Sequence, residues 1–278
     1  MASELWTSLS EDGATEPPAI DTSVAHVARV YDYWLGGKDN FAADRAAGDV
    51  ASQAYPHIFS SVRANRAFLR RTVGYLTAQA GIRQFLDIGT GLPSANNTHE
   101  VAQATAPESR IVYVDNDPIV LAHARALLSS HPKGVTGYLD ADARDTATIL
   151  TEAKRLLDFT QPVGVLLIAI LQLVGDSDDP YGLVAELMRA VPAGSYLVIS
   201  HVPSDMQVRA AGIAEAAAVL SKLMTQRVTP RSHEQVTRFF DGLEILDPGV
   251  VPVQDWRPAS EEEAAAQAGM WGGVGRKA

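Results

Sequence analysis

The sequence predicts an α/β fold in which a doubly wound, mostly parallel sheet carries helices on both faces. From residue 84 onward, short apolar and β-branched runs alternate with segments of helical periodicity, the pattern of a parallel sheet with crossover helices. The run at residues 163–170 is apolar throughout, as expected for a strand covered on both faces. Residues 85–91 read FLDIGTG, and an acid followed by two glycines is typical of a strand-to-helix turn that binds a ligand.

Composition narrows the classes of protein to which the chain can belong. Its 278 residues, 46% hydrophobic and 20% charged, suffice for one large domain with a helical extension. The absence of cysteine excludes disulfides, thiol nucleophiles and cysteine-bound zinc. A net charge of −10 argues against a nucleic-acid partner and favours a small or neutral substrate. The longest apolar run, at residues 163–171, is too short to span a membrane, so we expect no membrane contact. The lack of cysteine, with no signal-peptide pattern in MASELWTSLSEDG, favours a cytoplasmic protein.

The amino-terminal part predicts a disordered segment followed by helices. Apolar residues at helical spacing predict one helix from Ser23 to Gly36, a second from about Asp39, and a third over residues 57–79. We divide the chain into a flexible arm at residues 1–22, a helical lid at residues 23–80 and a ligand-binding domain at residues 81–278.

The remaining elements follow in alternation. Strands are predicted at residues 84–88, 110–115, 135–139, 163–170 and 195–200, and helices at 118–128, 146–157, 181–191, 205–224 and 232–240. Two short runs, at residues 243–246 and 250–256, flank a tight turn and predict a hairpin-like pair that adds an antiparallel strand. After them we expect a short helix over residues 260–269 and a glycine-rich end.

The turn after the first strand is the first candidate site. Its residues are Asp87, Gly89, Thr90 and Gly91. The glycines let backbone N–H groups approach a ligand closely, and the helix that follows points its positive end at an anion. The alternative is an ordinary tight turn without a ligand.

The ends of the next two strands supply further acids. Asp115 lies a little more than twenty residues past the glycines, where an acid can accept both ribose hydroxyls of an adenosine group. It could instead cap the next helix, although the neighbouring Asn116 or Asp117 is better placed for that. Asp142 could accept from the exocyclic amine of adenine while the backbone N–H of Ala143 reaches a ring nitrogen. The alternative there is a solvated acidic turn.

The loop after the fourth strand and the amino-terminal helices complete the candidate site. Ala169 begins that loop, and Gln172 either faces the transferred group or faces solvent. Aromatic residues, glycines and charges are dense in ARVYDYWLGGKDNF at residues 28–41, which favours a lid over packing at the sheet edge. The candidate contacts from this part of the chain are Tyr31, Tyr33 and Lys38 from the lid, and Arg63, with Asn65 and Arg66, as a carboxylate clamp or a solvated face.

Acid–base and cofactor chemistry can be narrowed further. His201 follows the fifth strand and is the best-placed histidine for proton transfer, with Tyr31 as a second candidate. A dinucleotide site needs a third glycine where this chain has Ser94, so an NAD-dependent oxidoreductase is disfavoured. S-adenosylmethionine has no pyrophosphate and so needs no third glycine. Asp115 and Asp142 could bind its ribose and its adenine. Neither a phosphate-binding loop nor a paired-histidine motif occurs, so we expect no metal and no phosphoryl transfer.

These motifs, together with longer stretches of the sequence, resemble one family. The chain is similar to the actinobacterial S-adenosylmethionine-dependent methyltransferases once catalogued as DUF574, the methyltransferase 19 group. The stretches that carry the resemblance are ARVYDYWLGGKDNFAADR, FLDIGTGLPSANNTHEVAQ, VYVDNDPIVLAHARALL, PAGSYLVISH, RSHEQVTRFFDGLEILDPGVVPV and GGVGRK, with the acidic turn at residues 140–145.

The resemblance implies a class I methyltransferase fold with five residues at the cofactor, namely Asp87, Gly89, Gly91, Asp115 and Asp142. Relatives often have a histidine after the fourth strand, where this chain has Gln172. We therefore expect a methyltransferase acting on a small molecule, and keep as the alternative a catalytically degenerate protein that binds the cofactor as a regulator or scaffold. A homodimer is compatible with either.

Overall fold

A single mixed sheet lies at the centre of the computed structural model, which describes residues 21–127, 130–206 and 210–278. Its eight strands within those residues are β1 (Gln84–Ile88), β2 (Arg110–Asp115), β3 (Val135–Asp140), β4 (Gly164–Ile168), β5 (Tyr196–His201), β6 (Glu244–Ile245), β7 (Val251–Pro252) and β8 (Trp271–Arg276). The strand order is β3-β2-β1-β4-β5-β8-β6, and β7 also pairs with β8. The predicted arm lies almost wholly outside the described residues, as does the last residue of the predicted helix at 118–128.

Helices connect and cover these strands. They are α1 (Val27–Leu35), α2 (Ala42–Ala54), α3 (Ile58–Ala78), α4 (Thr98–Thr105), α5 (Pro118–Leu127), α6 (Thr146–Ala153), α7 (Pro180–Ala190), α8 (Ala210–Leu223), α9 (His233–Thr237) and α10 (Glu261–Ala264). The helix predicted at residues 205–224 begins at Ala210 in the described part, because residues 207–209 lie outside it. Gly36, at φ 83°, ends α1 in the left-handed conformation that glycine adopts without strain.

The parallel part of the sheet fixes where a ligand can bind. Strands β1 to β5 are parallel, with Leu86 of β1 paired to Val112 on one side and to Val165 on the other. The chain builds outward from β1 towards β3 and then returns to β4 on the opposite side. The crevice outside the carboxyl ends of β1 and β4 is therefore the switch point at which such sheets bind ligands. This architecture confirms the predicted fold class.

The antiparallel strand beside β5 is β8, not the pair predicted at residues 243–246 and 250–256. β6 and β7 do not form a hairpin with each other; each pairs with β8, which lies antiparallel beside β5. β8 is the glycine-rich end, for which the sequence analysis predicted no strand. A Cβ on Gly272 would lie 2.8 Å from Val253, and one on Gly275 would lie 2.7 Å from Phe240. The glycines, which weaken an intrinsic preference for strand, are thus what lets the backbone pass beneath bulky side chains.

Helix α3 belongs to the core of the sheet. Its Phe68, Val73 and Leu76 are fully buried in the cluster that contains Phe85 of β1 and Val198 of β5. A different cluster joins α1, α2, the start of α3 and α8, with Trp34 and Ile213 among its members. The division of the chain at residues 22 and 80 stays a prediction, while the packing ties α3 to the sheet and α1 and α2 to α8.

Candidate functional site

A cavity opens at the carboxyl edge of the sheet, at the switch point. Its empty volume is about 1180 Å³, its open mouth included. The floor comes from the residues that follow β1, β2, β3 and β4, and the walls come from α1 and α3. Of the predicted site residues, the cavity brings together Asp87, Gly89, Thr90, Gly91, Asp115, Asn116, Asp142, Ala143, Ala169 and Tyr31.

The turn after β1 is held in place from two sides. Gly89 and Gly91 adopt φ of 76° and 66°, a conformation that other residues rarely adopt. A Cβ on Gly89 would lie 2.5 Å from Ile170, so the loop after β4 requires glycine there. The Gly91 N–H donates to Asp115 Oδ2 at 2.8 Å. The turn therefore carries a fixed backbone shape next to the end of β2.

Asp87 is a buried charge at the base of the cavity. Its side chain accepts a hydrogen bond from Thr98 Oγ1 at 2.6 Å, and the residue is only 4% exposed. Burial raises the pKa of Asp87 to about 6, although the Thr98 hydrogen bond acts in the opposite direction. Ionised Asp87 is therefore costly in the unliganded protein, and a cationic ligand would offset that cost.

Asp115 combines a structural and a binding capacity. Its Oδ2 accepts from Gly91, as above, and its Oδ1 accepts from the N–H of Asp117 at 3.0 Å. Burial raises the pKa of this carboxyl as well. Because a carboxylate has about four acceptor positions, each oxygen keeps capacity for a ligand hydroxyl. Asp117 caps α5, because it accepts a hydrogen bond from the N–H of Ile119. Asp115 therefore does more than cap a helix.

Asp142 is already engaged by a neighbouring cation. Arg144 donates through Nε to Oδ1 at 2.7 Å and through Nη2 to Oδ2 at 2.5 Å. Asn116 Nδ2 adds a third hydrogen bond at 3.1 Å. These bonds, that of Arg144 foremost, lower the pKa of Asp142. The carboxylate stays ionised at neutral pH and can accept from an amine beside Ala143.

Two polar side chains on α3 reach the same cavity. Asn65 donates through Nδ2 to the Tyr31 hydroxyl at 2.9 Å, and its buried Oδ1 has no partner within the described residues. Arg66 donates through Nη2 to the carbonyls of Ala95 and Asn96, both at 3.2 Å, and its buried Nε likewise has none there. A cavity lined by one unused acceptor and one unused cationic donor fits an amino-acid group, with its ammonium and its carboxylate.

Comparisons with known proteins now decide the family. A family model described as S-adenosyl methyltransferase matches residues 13–278. The chain belongs to this family. A DUF574 family protein from Streptomyces avermitilis has a solved structure with 43% identity and a TM-score of 0.89, covering 94% of this chain and 100% of that one. A predicted methyltransferase from Thermobifida fusca shows 38% identity and a TM-score of 0.85, covering 95% and 99%.

More distant matches bear on the fold alone. An O-methyltransferase family protein from Burkholderia thailandensis has 13% identity and a TM-score of 0.52, covering 85% of this chain and 60% of its own. A search of curated proteins found no match. The S-adenosyl methyltransferase family confirms the resemblance seen in the sequence and, with it, S-adenosylmethionine rather than NAD as the cofactor.

Three of the predicted contacts lie away from the cavity of this S-adenosyl methyltransferase. Tyr33 donates from its hydroxyl to Asp49 at 2.6 Å. Lys38 and Arg63 are exposed, and none of the three lines the cavity. Arg63 precedes Asn65 and Arg66 on α3, but the rotation of the helix turns it outward.

His201 is enclosed in the protein and lines no part of the cavity. The residue is 0% exposed; its Nδ1 lies 2.8 Å from the carbonyl of Val202, and Arg231 Nη1 donates to its Nε2 at 3.0 Å. Burial lowers the pKa of His201 to about 3. With both ring nitrogens engaged and the ring neutral, its geometry argues against the expected role in proton transfer.

Gln172 is buried rather than facing solvent. Its Nε2 donates to the carbonyl of Ala169 at 2.6 Å, and the residue is 7% exposed. Ala169 holds a left-handed φ of 55°, and its N–H donates to Ser200 Oγ at 3.0 Å. The loop after β4 is therefore a constrained element that presents Gln172 to the interior.

Sequence reasoning missed His26 as a wall residue. It caps α1, lines the cavity and places Nδ1 2.7 Å from Asp117 Oδ2. Its position before the lid helix was the available clue. Within the described residues, no group of three or more His, Asp or Glu side chains could hold a metal ion. No helix in that part of the chain has the length and apolar character to cross a membrane.

Proposed function

We propose that this S-adenosylmethionine-dependent methyltransferase holds its cofactor in the cavity at the carboxyl edge of the sheet and acts on a small molecule. The observation that carries the proposal is the pair of acids at the Gly89–Gly91 turn, the buried Asp87 and the half-buried Asp115. Both acids lose solvation in the unliganded protein, and a cationic ligand with hydroxyl groups would compensate both.

The described residues fit each part of S-adenosylmethionine. Asp87 and Asn65 Oδ1 would accept from the ammonium group, and Arg66 would pair with the carboxylate. Asp115 would accept from the ribose hydroxyls. Asp142, beside Asn116 and the N–H of Ala143, would accept from the adenine amine. Tyr33, Lys38 and Arg63 have no part in this proposal because they lie off the cavity.

When bound, the cofactor supplies a methyl group activated by its sulfonium. The chain itself contributes alignment of the two reactants. Tyr31 lines the cavity, but burial raises the pKa of its hydroxyl, which donates to the carbonyl of Val62 at 3.3 Å. Tyr31 therefore stays protonated at neutral pH and positions rather than deprotonates. His201 is too deeply buried to serve in its place. The acceptor would lose its proton to solvent.

Calorimetric titration with S-adenosylmethionine and with its demethylated product tests the site. We expect binding by the wild type, and weaker binding by Arg66→Ala, which removes the cation that would pair with the carboxylate. Arg63→Ala, the exposed neighbour on the same helix, is the matched control and should bind as the wild type does. A folded wild-type sample that binds neither compound would refute the proposal.

Transfer needs a second assay, because a degenerate protein would bind without turnover. Cofactor with a tritiated methyl group is incubated with the protein and the small-molecule fraction of a cell extract. We expect label in that fraction that depends on both the protein and the extract. Tight binding of the cofactor with no label transferred would instead support the role of a regulator or scaffold.

A further inference from the structure

A second cavity adjoins the first and differs from it in chemistry. Its empty volume is about 750 Å³, its open mouth included. The walls come from α1, the start of α3, α8, the loop after β4 and the two residues before β8. Four residues line both cavities, namely Val27, Tyr31, Ala169 and Leu173. A molecule in the second cavity would therefore lie next to the cofactor.

The described lining of the second cavity carries no charged side chain. Most of it is aliphatic or aromatic, including Val30, Trp34, Ile213 and Leu220. This contrasts with the first cavity, where Asp87, Asp115, Asp142 and Arg66 supply charges. A charged group placed in the second cavity would lose its hydration without a partner, which costs several kcal/mol on the scale of buried ions. The lining thus selects against charged molecules.

The polar groups that line the second cavity are engaged within the protein, with one exception. Trp34 Nε1 donates to the carbonyl of Gly48 at 3.2 Å, and Ser61 Oγ accepts from the N–H of Gly269 at 2.9 Å. The Tyr55 hydroxyl lies 3.1 Å from Ser61 Oγ. Tyr31 is held by Asn65, as described above.

The exception is Gln172 Oε1. This oxygen is buried and has no hydrogen-bond partner within the described residues. The amide cannot easily turn away, because its Nε2 is bound to the carbonyl of Ala169. An unpaired buried acceptor is unfavourable until a ligand donates to it, so the position calls for one N–H or O–H group.

We propose that the methyl acceptor is an uncharged, largely apolar small molecule that binds in the second cavity and donates one hydrogen bond to Gln172 Oε1. The inference rests on the proposed function, since it concerns the acceptor of that same site. Gln172 acts here as a positioning residue, because an amide oxygen can orient an N–H or O–H group but takes no proton from it.

Two fluorescent probes that differ by one charge test the chemistry of the cavity. N-phenyl-1-naphthylamine is apolar and has one N–H group, whereas 8-anilinonaphthalene-1-sulfonate adds a sulfonate to the same rings. We expect the uncharged probe to bind the wild type at least tenfold more tightly. Equal or tighter binding of the sulfonate would overturn the proposal.

A filling substitution tests where the probe binds. Ala216→Phe on α8 places a ring in the second cavity, whereas Ala218→Phe makes the same change on the exposed side of that helix. The first should weaken binding of the uncharged probe at least tenfold and the second should leave it unchanged. If Ala216→Phe fails to fold, Val228→Phe narrows the cavity from the loop after α8. Binding that survives in the folded filled variant would refute the location.

The hydrogen bond is tested by a ratio. Gln172→Met keeps the size of the side chain and removes Oε1. The substitution should lower the affinity for N-phenyl-1-naphthylamine about fivefold, as expected for the loss of one hydrogen bond. The affinity for 1-phenylnaphthalene, which lacks the N–H group, should stay the same. An equal loss for both probes would show that Gln172 only shapes the cavity.

Affinity for the demethylated cofactor, measured on the same samples, separates two kinds of failure. Wild type, Ala216→Phe and Ala218→Phe should bind it equally. If none of them binds it, the proposed function fails. If all bind it but the probes do not follow the pattern above, only the inference about the acceptor fails.

Discussion

Replacing Asp87 by asparagine should make the protein more stable while weakening its hold on the cofactor. Burial raises the pKa of this carboxyl from 3.8 to about 6. At 1.36 kcal/mol per pKa unit, holding it ionised at neutral pH costs the fold about 3 kcal/mol. The asparagine oxygen would still accept from Thr98, with a loss of about 1 kcal/mol because the acceptor becomes neutral. A net gain of about 1–2 kcal/mol should raise Tm by roughly 2–6 °C.

Cofactor binding should change in the opposite direction. The amide has no charge to offer an ammonium group, and a hydrogen bond to a charged partner is worth about 1.5–3 kcal/mol. We therefore expect affinity for the demethylated cofactor to fall by about 10- to 100-fold. A residue that served only the fold would not combine a higher Tm with weaker binding.

Urea melts at pH 7.5 and pH 5, with calorimetric titrations at pH 7.5, give the readouts. Because the folded-state pKa is raised, the cost of ionised Asp87 is fully present above about pH 6 and fades as pH falls towards 3.8. The advantage of Asp87→Asn should therefore shrink at pH 5. Asp241→Asn, the same change at an exposed position, should alter stability by less than about 0.5 kcal/mol. A variant less stable than the wild type at pH 7.5 would refute the argument.

Three further predictions concern other parts of the molecule. Asp115→Ala should lower cofactor affinity by about 1–3 kcal/mol and also lower Tm, because Gly91 and Asp117 lose their acceptor; calorimetry and melting check both. Because burial lowers the pKa of His201 to about 3, protonation of this histidine in the unfolded chain alone should cost the wild type about 2 kcal/mol of stability between pH 7 and pH 5. Asp87 acts in the opposite direction over this range, so urea melts should show the loss as a change in the difference between the wild type and His201→Gln. Gly275→Ala should lower the free energy of unfolding by about 1–3 kcal/mol, because the added methyl group would overlap Phe240. Gly74→Ala on α3 is the control and should not destabilise the protein, because its methyl group would enter open space.

The strands were predictable where apolar runs ended at clear turns. β1 and β2 begin and end at the predicted residues, because apolar runs there are followed by Gly89 or by Asn116 and Pro118. β8 was not, because three glycines hide its alternation. The reason for those glycines lies in Phe240 and Val253, side chains brought there by tertiary packing. Local sequence contains no information about that contact.

The meeting of acids and glycines at one edge of the sheet follows from its topology. Parallel strands place their carboxyl ends on one edge, so acids and glycines that end successive strands meet there. For His201 the same rule gave a wrong expectation. His201 ends β5, but this strand lies between β4 and β8, and Arg231 holds the histidine ring. On α3, Asn65 and Arg66 each share a face with Leu69, another cavity residue. Helical phase separates Arg63 from Asn65, but it leaves Arg63 beside Arg66 and so could not have excluded Arg63 completely.

The acceptor side could not be predicted in this way, because its walls come from opposite ends of the chain. Val30 and Trp34 meet Ile213, Leu220 and Met270 only in the folded protein. In the sequence each is an ordinary apolar residue on a helix face or before a strand. The resemblance led us to expect a histidine after the fourth strand, so Gln172 at that place suggested a missing base. In the structure, the same position offers an unpaired amide oxygen in a cavity without charges. Gln172 therefore fits an acceptor that is aligned by one hydrogen bond and needs no base from the protein.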